Sequence, residues 1–210
     1  MQVTALHSEL DRLQLRHGAK GLSAIYGAGC IDRPEMLLLF MNPTGKNISA
    51  APEWTGLRAP WIGTKNIWPM LYEIGLLSEN IFKLTKSEWN IESANIIYKE
   101  LVKKKIYITN LAKCTQVDAR HLPDSTFRAY LPVIRKEIAL INPKRIITFG
   151  NQVSSILLGK NISVSEYRGN RKEVYNIEDK CFYIYPVYYP IGQGRRNQPL
   201  AVRRIRAILK

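Results

Sequence analysis

Histidine is scarce in this chain: His7, His17 and His121 are scattered over 210 residues. That scatter excludes the catalytic zinc sites that draw on grouped imidazoles. Cysteine is as sparse. Cys30, Cys114 and Cys181 are far apart and form no CxxC pair. A disulfide framework is therefore excluded, and a reducing, cytoplasmic setting is expected. No apolar run approaches the roughly 20 residues that span a bilayer. Met1–Thr4 lacks the charged-then-apolar opening of a signal peptide. There is no repeat, low-complexity tract or long linker, so one domain over 1–210 is expected, with 1–30 as an N-terminal helical extension. GxGxxG, GxxxxGK[ST], GxSxG and HExxH are all missing, which removes the common nucleotide and hydrolase signatures.

Acidic residues are also few. Asp and Glu number 17 against 31 Lys and Arg, giving a net charge of +14 and a pI near 9.8. The excess is uneven: Arg168 to Lys210 holds ten basic and three acidic residues. A solvated face usually mixes both signs, so this skew points to an anionic partner rather than to a merely soluble surface.

Apolar runs divide the chain into strand–helix units. Met36–Met41, Lys105–Leu111, Arg145–Phe149 and Cys181–Tyr188 read as strands, the first apolar on both faces as in a central parallel strand. Helices are expected over 4–17, 66–77, 92–104 and 200–209, with a short one after Gly150. Asp124 reads as the N-cap of another helix reaching Ile141, in which Pro132 should impose a kink or a later start. This alternation predicts an α/β fold: a three-layer α/β/α sandwich around a central, mostly parallel four-stranded sheet.

Polar groups gather where these strands end. Open α/β sheets put their sites there. Asn42 follows the first strand and can hold a water through its amide, or merely bond its own Asn-Pro-Thr-Gly turn. Asn110 ends the second strand and can pair with a base edge, or again serve a turn. Residues 42–65 form a long Gly-, Pro- and Trp-rich segment, and loops of that length are usually functional or disordered. Within or just after it, Trp68 lies on a helix and should pack in the core. Trp61, between Pro60 and Gly63, is the better stacking platform for a base. Beyond the last strand, Gln193, Gly194, Arg195, Arg196 and Asn197 form a basic, glycine-flanked loop able to reach phosphate, or a plain charged turn.

Four blocks in order then resemble the uracil-DNA glycosylase superfamily. Met41–Gly45 resembles its first catalytic motif, in the Asn-Pro form of the mismatch-specific and single-strand-selective branches. Thr55–Trp61 is similar to the segment whose aromatic stacks on the extruded base. Tyr107–Cys114 is similar to the strand whose Asn reads the pyrimidine edge. Tyr188-Tyr189-Pro190 onward resembles the second motif, with Tyr189 where many relatives hold His, followed by the wedge loop.

This resemblance implies a monofunctional glycosylase acting on single- or double-stranded DNA, without a cofactor, a metal, a membrane or an obligate protein partner. It implies catalytic roles for Asn42 and Tyr189. Thr44, Gly45, Trp61 and Asn110 would bind the base, and Gln193–Asn197 would wedge into the duplex. Tyr189 can donate a hydrogen bond but cannot carry a positive charge. One branch carries a four-cysteine iron–sulfur cluster, and Cys114 matches one of those positions. With three cysteines and no close pair, no cluster is implied here.

The best-known uracil-specific branch has a bulky Tyr where this chain has Thr44, so groups at base carbon 5 gain room. Three functions follow. The first is repair of uracil or other deaminated bases. The second is excision of a modified pyrimidine, such as hydroxymethylated or glucosylated cytosine in viral DNA, as antiphage defence. The third is a DNA-binding module that has kept the fold and lost the chemistry.

Overall fold

The computed structural model describes residues 2–119 and 121–210, with Gln193 described in its backbone only. Six strands form one sheet in the order β1-β3-β2-β4-β6-β5. They are β1 (Ala28–Gly29), β2 (Met36–Phe40), β3 (Ile106–Asn110), β4 (Ile146–Phe149), β5 (Glu173–Ile177) and β6 (Lys180–Val187). The four strands read from the sequence are the parallel centre; β1 and β5 add antiparallel edges, so the sheet is wider than four.

Both faces are covered. Helices α2 (Ile67–Glu73), α4 (Ile91–Lys103) and α7 (Gln198–Leu209) bury apolar residues against one face. Helices α1 (His7–His17), α5 (Asp124–Ile141) and α6 (Asn151–Leu158) cover the other. The outcome is the three-layer α/β/α arrangement. Helix α3 (Glu79–Leu84) is short and half-buried, with Ser78 capping it. Alternation within β3 explains the layering: Ile106 and Ile108 join the α2/α4/α7 core, and Tyr107 joins the α1/α5/α6 core. Leu6 and Leu10 of the N-terminal stretch belong to that second core.

Two local expectations are corrected. Pro123, not Asp124, occupies the N-cap of α5; the Asp124 carboxylate instead accepts from Gln152 Nε2 at 2.9 Å. Pro132 lies inside an 18-residue helix that begins at Asp124, so the later start, one of the two outcomes expected of it, does not occur. Among the described residues, no helix is long and apolar enough to cross a membrane.

The topology fixes where a site can be. From central β2 the chain crosses to β3 on one side, then returns past β2 to β4 on the other. A crevice opens at such a reversal, outside the C-terminal ends of the strands. Met41–Asn42, Asn110, Gly150 and Tyr188–Tyr189 all follow strand ends on that side.

Candidate base-excision site

Asn110 is directly opposite Phe40 in the parallel β2–β3 pairing. The pairing runs on past the strands, with Leu111 N donating to Phe40 O at 2.8 Å and Ala112 N to Met41 O at 3.0 Å. Asn110 thus closes β3, and Asn42 lies two residues past its partner Phe40, beyond the end of the neighbouring β2. Asn42 is half-buried, and its Nδ2 donates to the Pro43 carbonyl at 3.1 Å. That is the turn amide foreseen as one alternative. It also orients the group so that Oδ1 is the atom left to accept from a water. Asn110 is only 4% exposed, yet its Oδ1 has no hydrogen-bond partner among the described residues. Leaving a buried acceptor unpaired costs about 1–3 kcal/mol. Such an atom needs an explanation, and a ligand donor is one.

Thr44 and Gly45 are held against the loop that follows Asn110. Thr44 bridges Gln116, and Gly45 N donates to Gln116 O at 2.7 Å. Thr44 is half-buried and Gly45 exposed. The 42–65 segment is ordered by a residue that the sequence reading missed. Buried Asn47 donates Nδ2 to Ala59 O at 2.7 Å, while its Oδ1 accepts from Ser49 N at 3.0 Å and Ser49 Oγ at 2.7 Å. Local patterning offers only its cap on Ser49; the bond to Ala59, twelve residues away, carries no local mark.

Trp61 differs from the open platform expected of it. It is 0% exposed and meets Trp68 edge-on at 5.9 Å and Trp89 at 6.0 Å. The cause is the company it keeps: Trp61, Trp68 and Trp89 collect at the α2/α4/α7 core, Trp89 coming from the turn before α4. Among the described residues the Trp61 and Trp89 indole N–H groups have no acceptor, whereas Trp68 Nε1 donates to Thr64 O at 2.8 Å. Trp61 shares its layer with Asn110, since Asn110 is on the same face of β3 as Ile106 and Ile108. No face of its ring is open in this conformation.

Tyr189 stands at the opposite rim. Its ring meets Phe40 edge-on at 6.4 Å, and Phe40 stacks on Phe149 at 4.3 Å. Burial pushes its hydroxyl up to about 12, so it is a neutral donor across the physiological range. A cleft of about 500 Å³ runs between Met41, Phe149–Gly150, Tyr189 and the turn that contains Gly194 and Asn197. That turn, Gly192–Asn197, is a tight 3-10 coil leading into α7 rather than an extended wedge. Arg195 and Arg196 point into solvent from it. Gly194 has to be glycine: a Cβ there would be 2.2 Å from the Tyr189 carbonyl oxygen.

Beneath the Asn110 loop is a buried ion pair. Lys113 Nζ donates to Glu137 at 2.8 Å, with both side chains essentially inaccessible. Tyr107 donates its hydroxyl to the same carboxylate at 2.7 Å, and Thr109 also bonds Lys113. Burial pulls the Lys113 ammonium below its ordinary value, and Glu137 opposes that. The amine faces the α5 side of the sheet, away from the α2/α4/α7 layer that Asn110 faces, so it is no nucleophile for a sugar.

A family model, the uracil DNA glycosylase superfamily, matches residues 48–210. The chain belongs to that superfamily. The match takes in Trp61, Asn110, Tyr189 and the Gly192–Asn197 turn, and starts after Asn42 and Thr44. A type-4 uracil-DNA glycosylase from Sulfurisphaera tokodaii (strain DSM 16993 / JCM 10545 / NBRC 100140 / 7) is 28% identical over 94 residues, 43% of this chain. That stretch spans 42% of the relative's own length.

The surroundings of Cys114 do not fit the iron–sulfur cluster found in one branch of the superfamily. Its buried thiol is pushed above the ordinary value by desolvation, with Gln116 Nε2 at 3.8 Å and the Tyr130 ring beside it. Cys30 is buried near β1 and Cys181 is exposed on β6. Among the described residues, no group of three His, Cys, Asp or Glu is arranged to hold a metal.

Proposed function

We propose that this chain is a monofunctional DNA glycosylase that hydrolyses the bond between an aberrant pyrimidine and its sugar, leaving an abasic site. The buried Oδ1 of Asn110, unpartnered among the described residues at the C-terminal end of a central strand in a superfamily fold, is the observation that carries this reading. The basic surface grips phosphates, and the Gly192–Asn197 turn presses Arg195 and Arg196 against the duplex. The target nucleotide swings out at a cost of a few kcal/mol in lost stacking and pairing.

The base then meets Asn110, and Trp61 forms the apolar wall once its ring is uncovered. The bond breaks through an oxocarbenium-like state. The neutral Tyr189 hydroxyl donates to the departing base, whose developing negative charge is where fixed donors contribute most. Asn42 Oδ1 holds the attacking water. Lys113 is buried against Glu137 and is not placed for a Schiff base, and no strand-cutting step is part of this reading. All of 1–210 serves as one domain, in a cytoplasmic, reducing setting consistent with three free cysteines.

Uracil is the first substrate. The small Thr44 beside exposed Gly45 supports a second: cytosine or uracil with a C5 group, including hydroxymethylated or glucosylated cytosine of viral DNA, in a defensive role. A panel of duplexes and single strands, each with one test base, followed by hot alkali, decides. A break at uracil supports repair. A break only at C5-substituted bases supports the second substrate. Tight binding without any break overturns catalysis and leaves a DNA-binding module.

A further inference from the structure

Helix α1 turns two residues inward at four-residue spacing, Leu10 and Gln14. The second is a primary amide in an apolar position, 5% exposed. Its bonds all leave the helix. Oε1 accepts from Thr115 N at 2.7 Å, and Nε2 donates to Leu22 O at 2.9 Å. Gly18 must be bare for this, because a Cβ there would be 2.1 Å from Gln14 Nε2.

Further bonds follow the same seam. Ala19 N donates to Thr115 O at 2.9 Å, Thr115 Oγ1 to Ser23 O at 2.7 Å, and Gln116 Nε2 to His17 O at 2.7 Å. The inner side of this loop is zipped to the residues after Asn42. Gln116 N donates to Pro43 O at 3.1 Å, and Gly45 N returns a bond to Gln116 O. Gln14 is thus one residue step and two hydrogen bonds from Gly45, the neighbour of Thr44, through the loop that follows Asn110.

We propose that residues 14–25 are a positioning device for the base pocket, with Gln14 as its hub. The segment is outside the 48–210 superfamily match. It holds the 111–116 loop from behind, so the loop holds Thr44 and Gly45 at the height that sets room over the base. Gln14 touches no substrate; it is a positioning residue acting through Gln116. This role rests on the glycosylase reading, whereas the clamp itself does not.

The test uses the full chain carrying Gln14→Leu, with Gln116→Ala as a milder cut from the loop side. Amide hydrogen exchange at Gly45 and Gln116 should speed up about tenfold or more in Gln14→Leu, the size of a lost buried hydrogen bond. The amides of β4 and β6 should keep their rates. Well below the melting temperature, kcat for the released base should fall about tenfold with KM for DNA little changed. The two substitutions should be clearly non-additive in kcat, as members of one linkage are. Unchanged exchange at Gly45 and Gln116 in folded protein overturns the clamp. Changed exchange with full kcat overturns its role in positioning. If the unaltered protein releases no base, the glycosylase reading fails while exchange still decides the clamp.

Discussion

Gly194 is seated on the backbone of Tyr189, close enough that a Cβ would be 2.2 Å from the Tyr189 carbonyl oxygen. The Gly192–Asn197 turn and the candidate leaving-group donor are therefore one rigid unit. Gly194→Ala cannot be relieved by a rotamer change, so the turn must lift. Base release should fall at least about tenfold while the melting temperature changes little, since the turn moves into solvent. Alkali-cleavage rates and thermal melts check this, and full activity would show the two parts to be independent.

Tyr189→Phe removes only the hydroxyl. If it stabilises the departing base, single-turnover release should slow on the order of 10²-fold. Because the hydroxyl titrates near 12, residue 189 should give no inflection between pH 6 and 9 in the unaltered protein. Tyr189→His should introduce one below the ordinary imidazole value of about 6.5, because the same burial disfavours the charged ring. A phenylalanine variant at full rate would assign the ring to space-filling.

Asn110→Ala deletes a buried polar group that has no partner for Oδ1. Removing an unpaired acceptor offsets much of the cavity left behind, so stability should shift by less than about 1 kcal/mol. Discrimination among test bases should collapse. A loss of several kcal/mol in denaturant titrations would mean that the amide is structural.

Glu173 accepts from Lys160 at 2.6 Å and from the Tyr167 hydroxyl at 2.6 Å. These two donors hold its carboxyl below the ordinary 4.5. A depressed folded value means the stability it contributes is present above that pH and is lost as the pH falls through the folded value. Glu173→Gln should melt lower than the unaltered protein at pH 7, and the two curves should converge on acidification below 4.5. A gap independent of pH would show packing rather than charge at work.

The parallel centre was legible because Met36–Phe40, Ile106–Asn110, Ile146–Phe149 and the end of β6 are long apolar runs buried on both faces. The edges were not. Ala28–Gly29 is two residues long, and Glu173–Ile177 alternates exposed and buried residues that no apolar run announces. Asn42, Asn110 and Tyr189 could be found because each follows a strand. Asn47, Gln14 and Gln116 could not: their partners are far along the chain, Gln14 and Thr115 being 101 residues apart. Trp61 was seen as a site residue, but its indole neighbours come from α2 and the 85–90 turn, so its burial was invisible locally.

The Lys113–Glu137 pair gives the sharpest stability contrast. Lys113→Met alone strands a carboxylate in the core and should cost about 3–5 kcal/mol. Adding Glu137→Leu should recover most of that loss, leaving the Tyr107 hydroxyl as the main unpaired group. Denaturant titration of the single and double variants checks this; equal losses would mean that the network around Tyr107, not the charge pair, dominates.

The same pair constrains how this loop can drift over generations. Either charge lost by itself leaves a chain that folds poorly, so the two codons are tied and neutral exploration passes through a valley. Library screens that randomise one position at a time will find both immovable and mistake mutual dependence for a demand of the chemistry.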